Sequence, residues 1–125
     1  MGLKRRRLEA MRHLVFVYGS LRPGERHAHL LAGERYLGAH KTEPRYTMFS
    51  LGDWPAIMAG GDVTIVGDVF SIDRSKLAHL DAFERFPYLF VRQRIPTPYG
   101  QAWVYIFRQR PTNAVTVPSG DWQER

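Results

Sequence analysis

One long stretch of this chain keeps a sustained helical period. It is RSKLAHLDAFERF, residues 74–86, opened by Asp73 as an N-cap and halted before Pro87. Nearly all the other apolar residues arrive in short runs rich in β-branched and aromatic side chains, and these read as strands. LVFVY begins the first at Leu14, RYLGAHK and RYTMFSLG flank a break at Glu43-Pro44, and VTIVGDVFSI precedes the helix. YLFVRQRIPT and QAWVYIFRQ form a hairpin around Pro98-Tyr99-Gly100. ERHAHLLAG reads as a short helix stopped by Gly33. DWPAIMAGGD is expected to be a loop with a short extended piece at Ala56 to Met58, and the tail after Pro111 is irregular. The expected class is α+β, a small mixed sheet rolled towards a barrel and carrying few helices.

With 125 residues, 44% of them hydrophobic, the chain suits one domain and one core. It has no cysteine, which excludes disulfides, thiol nucleophiles and thiolate metal sites and fits a cytoplasmic location. The net charge of +6 favours acidic partners, but Lys4, Arg5, Arg6, Arg7 and Arg12 supply much of it. Residues 1–12 are therefore expected to form a basic, flexible arm ahead of a domain over 13–125, with neither a secretory core nor a membrane span. Neither nucleic acid nor membrane is an expected partner.

The helix holds an anomaly. At about 100° per residue, Glu84 falls between Leu77 and Leu80 on the arc that faces the core. Either an arginine such as Arg92 or Arg94 pairs with it, or it projects into a cavity where desolvation raises its pKa towards neutrality, as a general acid/base requires. Asp81, at the edge of the arc, suits a cap or salt bridge better than chemistry. A second feature is the turn YGSLRPG after the first strand, whose unladdered N–H groups can converge on an anion. It lacks the Gly-Lys-Ser/Thr ending of a P-loop, and Ser20 lacks the setting of a nucleophile elbow. His27 and His29 do not share a helix face, so no metal pair is expected. Trp103, Tyr105 and Phe107 alternate on one strand face and read as core.

FVYGSLRPG at 16–24, YTMFSLGDWPAIMAGG at 46–61, VGDVFSIDRSKLAHLDAFERFP at 66–87, QAWVYIF at 101–107 and the closing SGDW resemble the γ-glutamylcyclotransferase-like superfamily, nearest its small AIG2-like members. The resemblance implies a compact barrel-like fold with the Tyr-Gly-Ser-Leu loop at the mouth of a cavity. In that cavity Tyr18, Gly19, Ser20 and Leu21 would bind the α-carboxylate and carbonyl of a small-molecule γ-glutamyl substrate. Glu84 would be the general acid/base for cyclisation to 5-oxoproline with release of an amine. Tyr105, Trp54 and Pro55 would lie beside the cavity, and Arg92 matches a family position. The implied reaction needs neither metal nor cofactor, because the nucleophile is the substrate's own amine. The chain departs from relatives at His27, often asparagine, and at Phe90, often tyrosine. A non-catalytic pocket for a small carboxylate is the alternative. The leaving amine and the oligomeric state stay open.

Overall fold

A computed structural model describes residues 12–125. Among them eight strands and one α-helix run in the order β1 (His13–Val17), β2 (Arg35–Lys41), β3 (Tyr46–Ser50), β4 (Pro55–Ala59), β5 (Val66–Ile72), α1 (Arg74–Phe83), β6 (Phe90–Thr97), β7 (Gly100–Phe107) and β8 (Val115–Thr116). The strands form two sheets, a five-stranded one in the order β2-β5-β1-β7-β6 and a three-stranded one in the order β4-β3-β8. The larger sheet is mixed: β1 runs antiparallel to β5 and parallel to β7. The α+β class is as expected. The sheets wrap a common core without closing into a barrel, because among the described residues no strand ladder joins one sheet to the other.

Most of the basic arm lies outside the described residues. Its last member, Arg12, donates through Nε to the Ser71 hydroxyl and through Nη2 to the Ser71 carbonyl, which anchors the entry to β1.

β1 explains its own composition. It lies mid-sheet and is covered on both faces, so it reads as an unbroken apolar run. Phe16 points into a core cluster with Met48, Ile57, Ile65, Val104 and Trp122, which joins the two sheets and the tail. Val15 and Val17 point the other way, to Phe70, Leu77, Leu80 and Tyr105 beneath α1. β7 alternates in the same fashion, with Ala102, Val104 and Ile106 in the first cluster. Trp103, Tyr105 and Phe107 face the helix side.

Three expectations change. ERHAHLLAG forms only a 3-10 turn at Ala28–Leu31, since its apolar residues are too few to bury a longer helix. The loop around Ala56 is a full strand, β4, paired along its length with β3. The helix ends at Phe83, not Phe86, and Glu84 is its C-cap. Its start is as expected: Asp73 caps it by accepting from the Lys76 N–H at 2.7 Å.

A buried ionic clasp closes the fold. Arg22, in the turn after β1, donates from Nε to Asp68 of β5 at 2.8 Å and from Nη1 to Asp121 of the tail at 2.8 Å. The Tyr36 hydroxyl of β2 donates to the second Asp68 oxygen, which pushes the Tyr36 pKa up to about 12. Asp121 also caps the final turn by accepting from the Gln123 N–H. Arg22→Ala leaves two carboxylates without their cation. The expected loss of stability is about 3–5 kcal/mol, measured by urea unfolding.

Candidate functional site

The turn after β1, the beginning of β4, the end of α1 and the paired strands β6 and β7 surround a cavity of about 360 Å³. Tyr18, Gly19, Ser20, Leu21, Trp54, Pro55, Glu84 and Tyr105, all singled out in the sequence, line it together. Residues from four separate stretches of chain thus converge on one space.

The turn is shaped by close approach. A methyl on Gly19 would sit 2.8 Å from Pro55 Cγ, so only glycine lets the turn lie against the start of β4. The Arg22 N–H returns to the Gly19 carbonyl and the His27 N–H to the Ser20 carbonyl, which fixes the curve. Among the described residues no acceptor takes the N–H groups of Gly19, Ser20 or Leu21. Successive unpaired N–H groups on a concave turn suit an anionic oxygen.

Tyr18 faces inward. Its buried hydroxyl donates to the Tyr105 carbonyl at 2.7 Å and accepts from the Ile57 N–H at 3.3 Å, which ties β1 to β7 and β4. Burial, then the Glu84 charge, pushes the Tyr18 pKa well up, so the phenol stays neutral. Tyr105 donates to Asp81 of α1 at 2.7 Å, and its pKa is raised by burial first and by that bond second.

Glu84 comes to this cavity because of how the helix stops. The Phe86 N–H bonds the Asp81 carbonyl and the Arg85 N–H bonds the Ala82 carbonyl, a Schellman ending. Leu77 and Leu80 on the same arc are buried in the core beneath the helix. One turn later the arc runs out over the cavity and Glu84 takes the next place on it. Among the described residues its carboxylate has no ion pair or hydrogen bond, and desolvation pushes its pKa up to about 7. The arginine partner allowed by the sequence is absent: Arg92 pairs with Asp81 instead, Nε to Oδ1 at 3.0 Å.

Arg92 does not line the cavity. It stacks over Phe86 and Trp103 and, through Asp81, braces Tyr105 from behind. Sequence reasoning also missed Arg26, Asp53, Phe83, Arg85 and Leu89 on the cavity wall, because nothing in their local patterns marks them. His27 and Phe90, noted as departures from relatives, line it too. The His27 ring packs edge-on to Phe83, and its buried Nδ1 has no partner among the described residues. Among the described residues no side-chain hydrogen bond joins the imidazole to the Ser20 hydroxyl, so no serine–histidine pair is assembled. Among the described residues no three His, Asp or Glu side chains group to hold a metal ion, and no helix is long and apolar enough to cross a membrane.

The fold thus sets one unpaired, desolvated carboxyl beside a glycine-bearing turn in a cavity of small-molecule size. The chain belongs to the gamma-glutamyl cyclotransferase, AIG2-like family, whose pattern it matches over residues 15–124. It is 39% identical over 112 residues to the gamma-glutamylcyclotransferase family protein YtfP of Escherichia coli K12, covering 89% of this chain and 96% of that one. The solution structure of E. coli ytfP superposes with a TM-score of 0.72 at 37% identity, over 87% of this chain and 95% of that one. The fold also matches a mouse AIG2-like protein, with a TM-score of 0.67 at 22% identity over 76% of each chain.

The raised pKa of Glu84 has a stability consequence. A carboxyl that ionises near 4.5 in the unfolded chain and near 7 in the fold favours the folded state while protonated, and that advantage is lost as pH rises from about 4.5 through 7. Glu84→Gln removes the buried charge. The variant is expected to gain stability over the wild type at pH 8, by at most about 3 kcal/mol, and to match it near pH 4.5; thermal unfolding at the two pH values checks this.

Proposed function

We propose that this protein cyclises the γ-glutamyl group of a small-molecule substrate to 5-oxoproline and releases the attached amine. The observation that carries the reading is the unpaired Glu84 carboxyl with its pKa near 7, sharing a closed-in cavity with the free N–H groups of Gly19, Ser20 and Leu21. In this reading the turn binds the glutamyl α-carboxylate and the γ-carbonyl oxygen through its backbone. That folds the substrate so that its α-amino nitrogen approaches the γ-carbon.

Glu84, as carboxylate, takes a proton from the attacking amine as the new C–N bond forms. The same proton passes to the departing nitrogen as the old amide bond breaks, so the carboxylate is restored at the end of the turnover. A pKa close to the working pH suits both halves of that exchange. The N–H donors meet the charge that develops on the carbonyl oxygen. Tyr18, held neutral by burial and the Glu84 charge, and Tyr105, held neutral by burial and its bond to Asp81, form the wall and leave the proton exchange to Glu84.

The test is to supply γ-glutamyl amines and amino acids to the purified protein and quantify 5-oxoproline. Turnover is expected in the wild type, and Glu84→Gln is expected to lose about 10²–10⁴ in rate. Because the base must be ionised, kcat/KM is expected to rise with pH and level off above about 7. Binding of these compounds without any product would make the cavity a binding site and not a catalytic one.

A further inference from the structure

We propose that the surface running from the open edge of β6 to the segment after β7 binds single-stranded nucleic acid, a role separate from the cavity and independent of the cyclisation. The first observation is how charge is segregated along the chain. Residues 85–120 hold five arginines and no aspartate or glutamate. The other described residues hold eleven carboxylates against nine lysines and arginines. Net charge alone does not point to nucleic acid, because much of it sits in the basic arm. Among the described residues, however, the whole cationic excess comes from this one stretch.

The second observation is where the fold puts these guanidinium groups. β6 is the last strand of the larger sheet, and among the described residues no strand lies beyond it. Arg94 and Arg92 both lie over the Trp103 ring, with Cζ at 4.6 and 4.5 Å from its centroid. Arg92 also lies over Phe86 at 4.7 Å. The next residue, Pro87, accepts from Arg108 Nη1 on its carbonyl at 3.1 Å. Arg108 and Arg110 then share a groove with Tyr88, and Arg110 reaches over the Phe49 ring. Guanidinium groups and aromatic rings thus follow one another in a single contact-linked line. Asp81 neutralises Arg92. Arg94, Arg108 and Arg110 are exposed, and among the described residues none of the three has an ion pair. Tyr88 is 83% exposed.

The chemistry of the line selects the partner. An acidic protein would answer the charge but gives the bare Tyr88 ring nothing flat to meet. An anionic bilayer takes in a broad apolar patch, and this line offers one free ring. A nucleic acid strand answers both features: its phosphates repeat along the backbone, and its bases stack on an exposed tyrosine or on guanidinium planes. Base faces are free for this only when unpaired, which favours a single strand over a duplex. From Phe90 to Arg94, β6 runs about 13 Å at about 3.3 Å per residue. The groove prolongs that path enough for about four nucleotides. Arg92, Arg94, Arg108 and Arg110 do not line the cavity, so the line passes beside it.

The test is fluorescence anisotropy of the full chain with labelled RNA and DNA single strands of about 12 nucleotides. The line variant carries Arg94→Gln, Arg108→Gln and Arg110→Gln. A control carries Arg35→Gln, Lys41→Gln and Arg74→Gln, exposed positions elsewhere that remove the same charge and leave the basic arm intact. All six side chains are exposed, so both variants are expected to keep the wild-type Tm within a few degrees. The wild type is expected to bind the single strands, the line variant about tenfold or more weaker, and the control within about twofold of wild type. The slope of log K against log salt is expected to shrink by about two in the line variant, at about 0.7 per lost phosphate contact. Tyr88→Ala is expected to weaken binding about fivefold or more and to leave that slope unchanged. No binding at about 100 mM salt, or an equal loss in the line and control variants, overturns the assignment. So does a duplex bound as tightly as the single strands, or phosphatidylserine vesicles bound in preference to either strand. Release of 5-oxoproline plays no part in any of these outcomes.

Discussion

The buried pairing of Arg22 with Asp68 and Asp121 holds this protein in register. It joins three parts of the chain that have no ladder in common: the turn after β1, the middle of β5 and the C-terminal tail. A turn of glycine, serine and proline has little apolar surface with which to hold itself down. Its cation, taken out of water and matched by two carboxylates, supplies a strong directional restraint. With the turn fixed, Gly19, Ser20 and Leu21 keep their places on the cavity wall. With Asp121 drawn in, the final turn brings Trp122 into the core that joins the two sheets.

The cavity exists because two elements stop early. β1 ends at Val17 and its chain turns aside at Gly19, which lies too close to Pro55 to carry a side chain. α1 ends at Phe83 in a Schellman turn, and the strip that buries Leu77 and Leu80 then continues over empty space. A glutamate placed there is desolvated, and among the described residues no cation pairs with it. The same desolvation that raises its pKa makes the folded protein less stable at neutral pH than an uncharged residue would. Stability is therefore held elsewhere, in the two-faced burial of β1 and in the ionic clasp. The second ionic group, Asp81 with Arg92, holds Tyr105 on the cavity wall while neither charged residue lines it.

Much of the site was legible in sequence. The helical phase of Glu84 relative to Leu77 and Leu80 is a local property, and so is the run of small residues after β1. The family pattern then put Trp54, Pro55 and Tyr105 beside them. Arg92 shows the limit: its match to a family position says nothing about which way the guanidinium turns, and a stack between Phe86 and Trp103 turns it to Asp81. Arg85 shows another limit. Its left-handed backbone follows from how a helix end meets the next segment, and no sequence pattern signals a non-glycine residue there.

By itself the sequence determined the class, the central strands, the helix and its cap, and it marked one misplaced carboxylate and one glycine-bearing turn, which only the family resemblance put together. Those are matters of period, cap chemistry and turn chemistry, which act over a few residues. Tertiary structure decided that the ladder splits into two sheets, that the loop near Ala56 becomes β4, and that the first predicted helix shrinks to a single turn. It also decided which arginine meets which carboxylate. Such pairings depend on residues as distant in sequence as Arg22 and Asp121 coming within hydrogen-bond reach, where burial makes one partner far better than the rest.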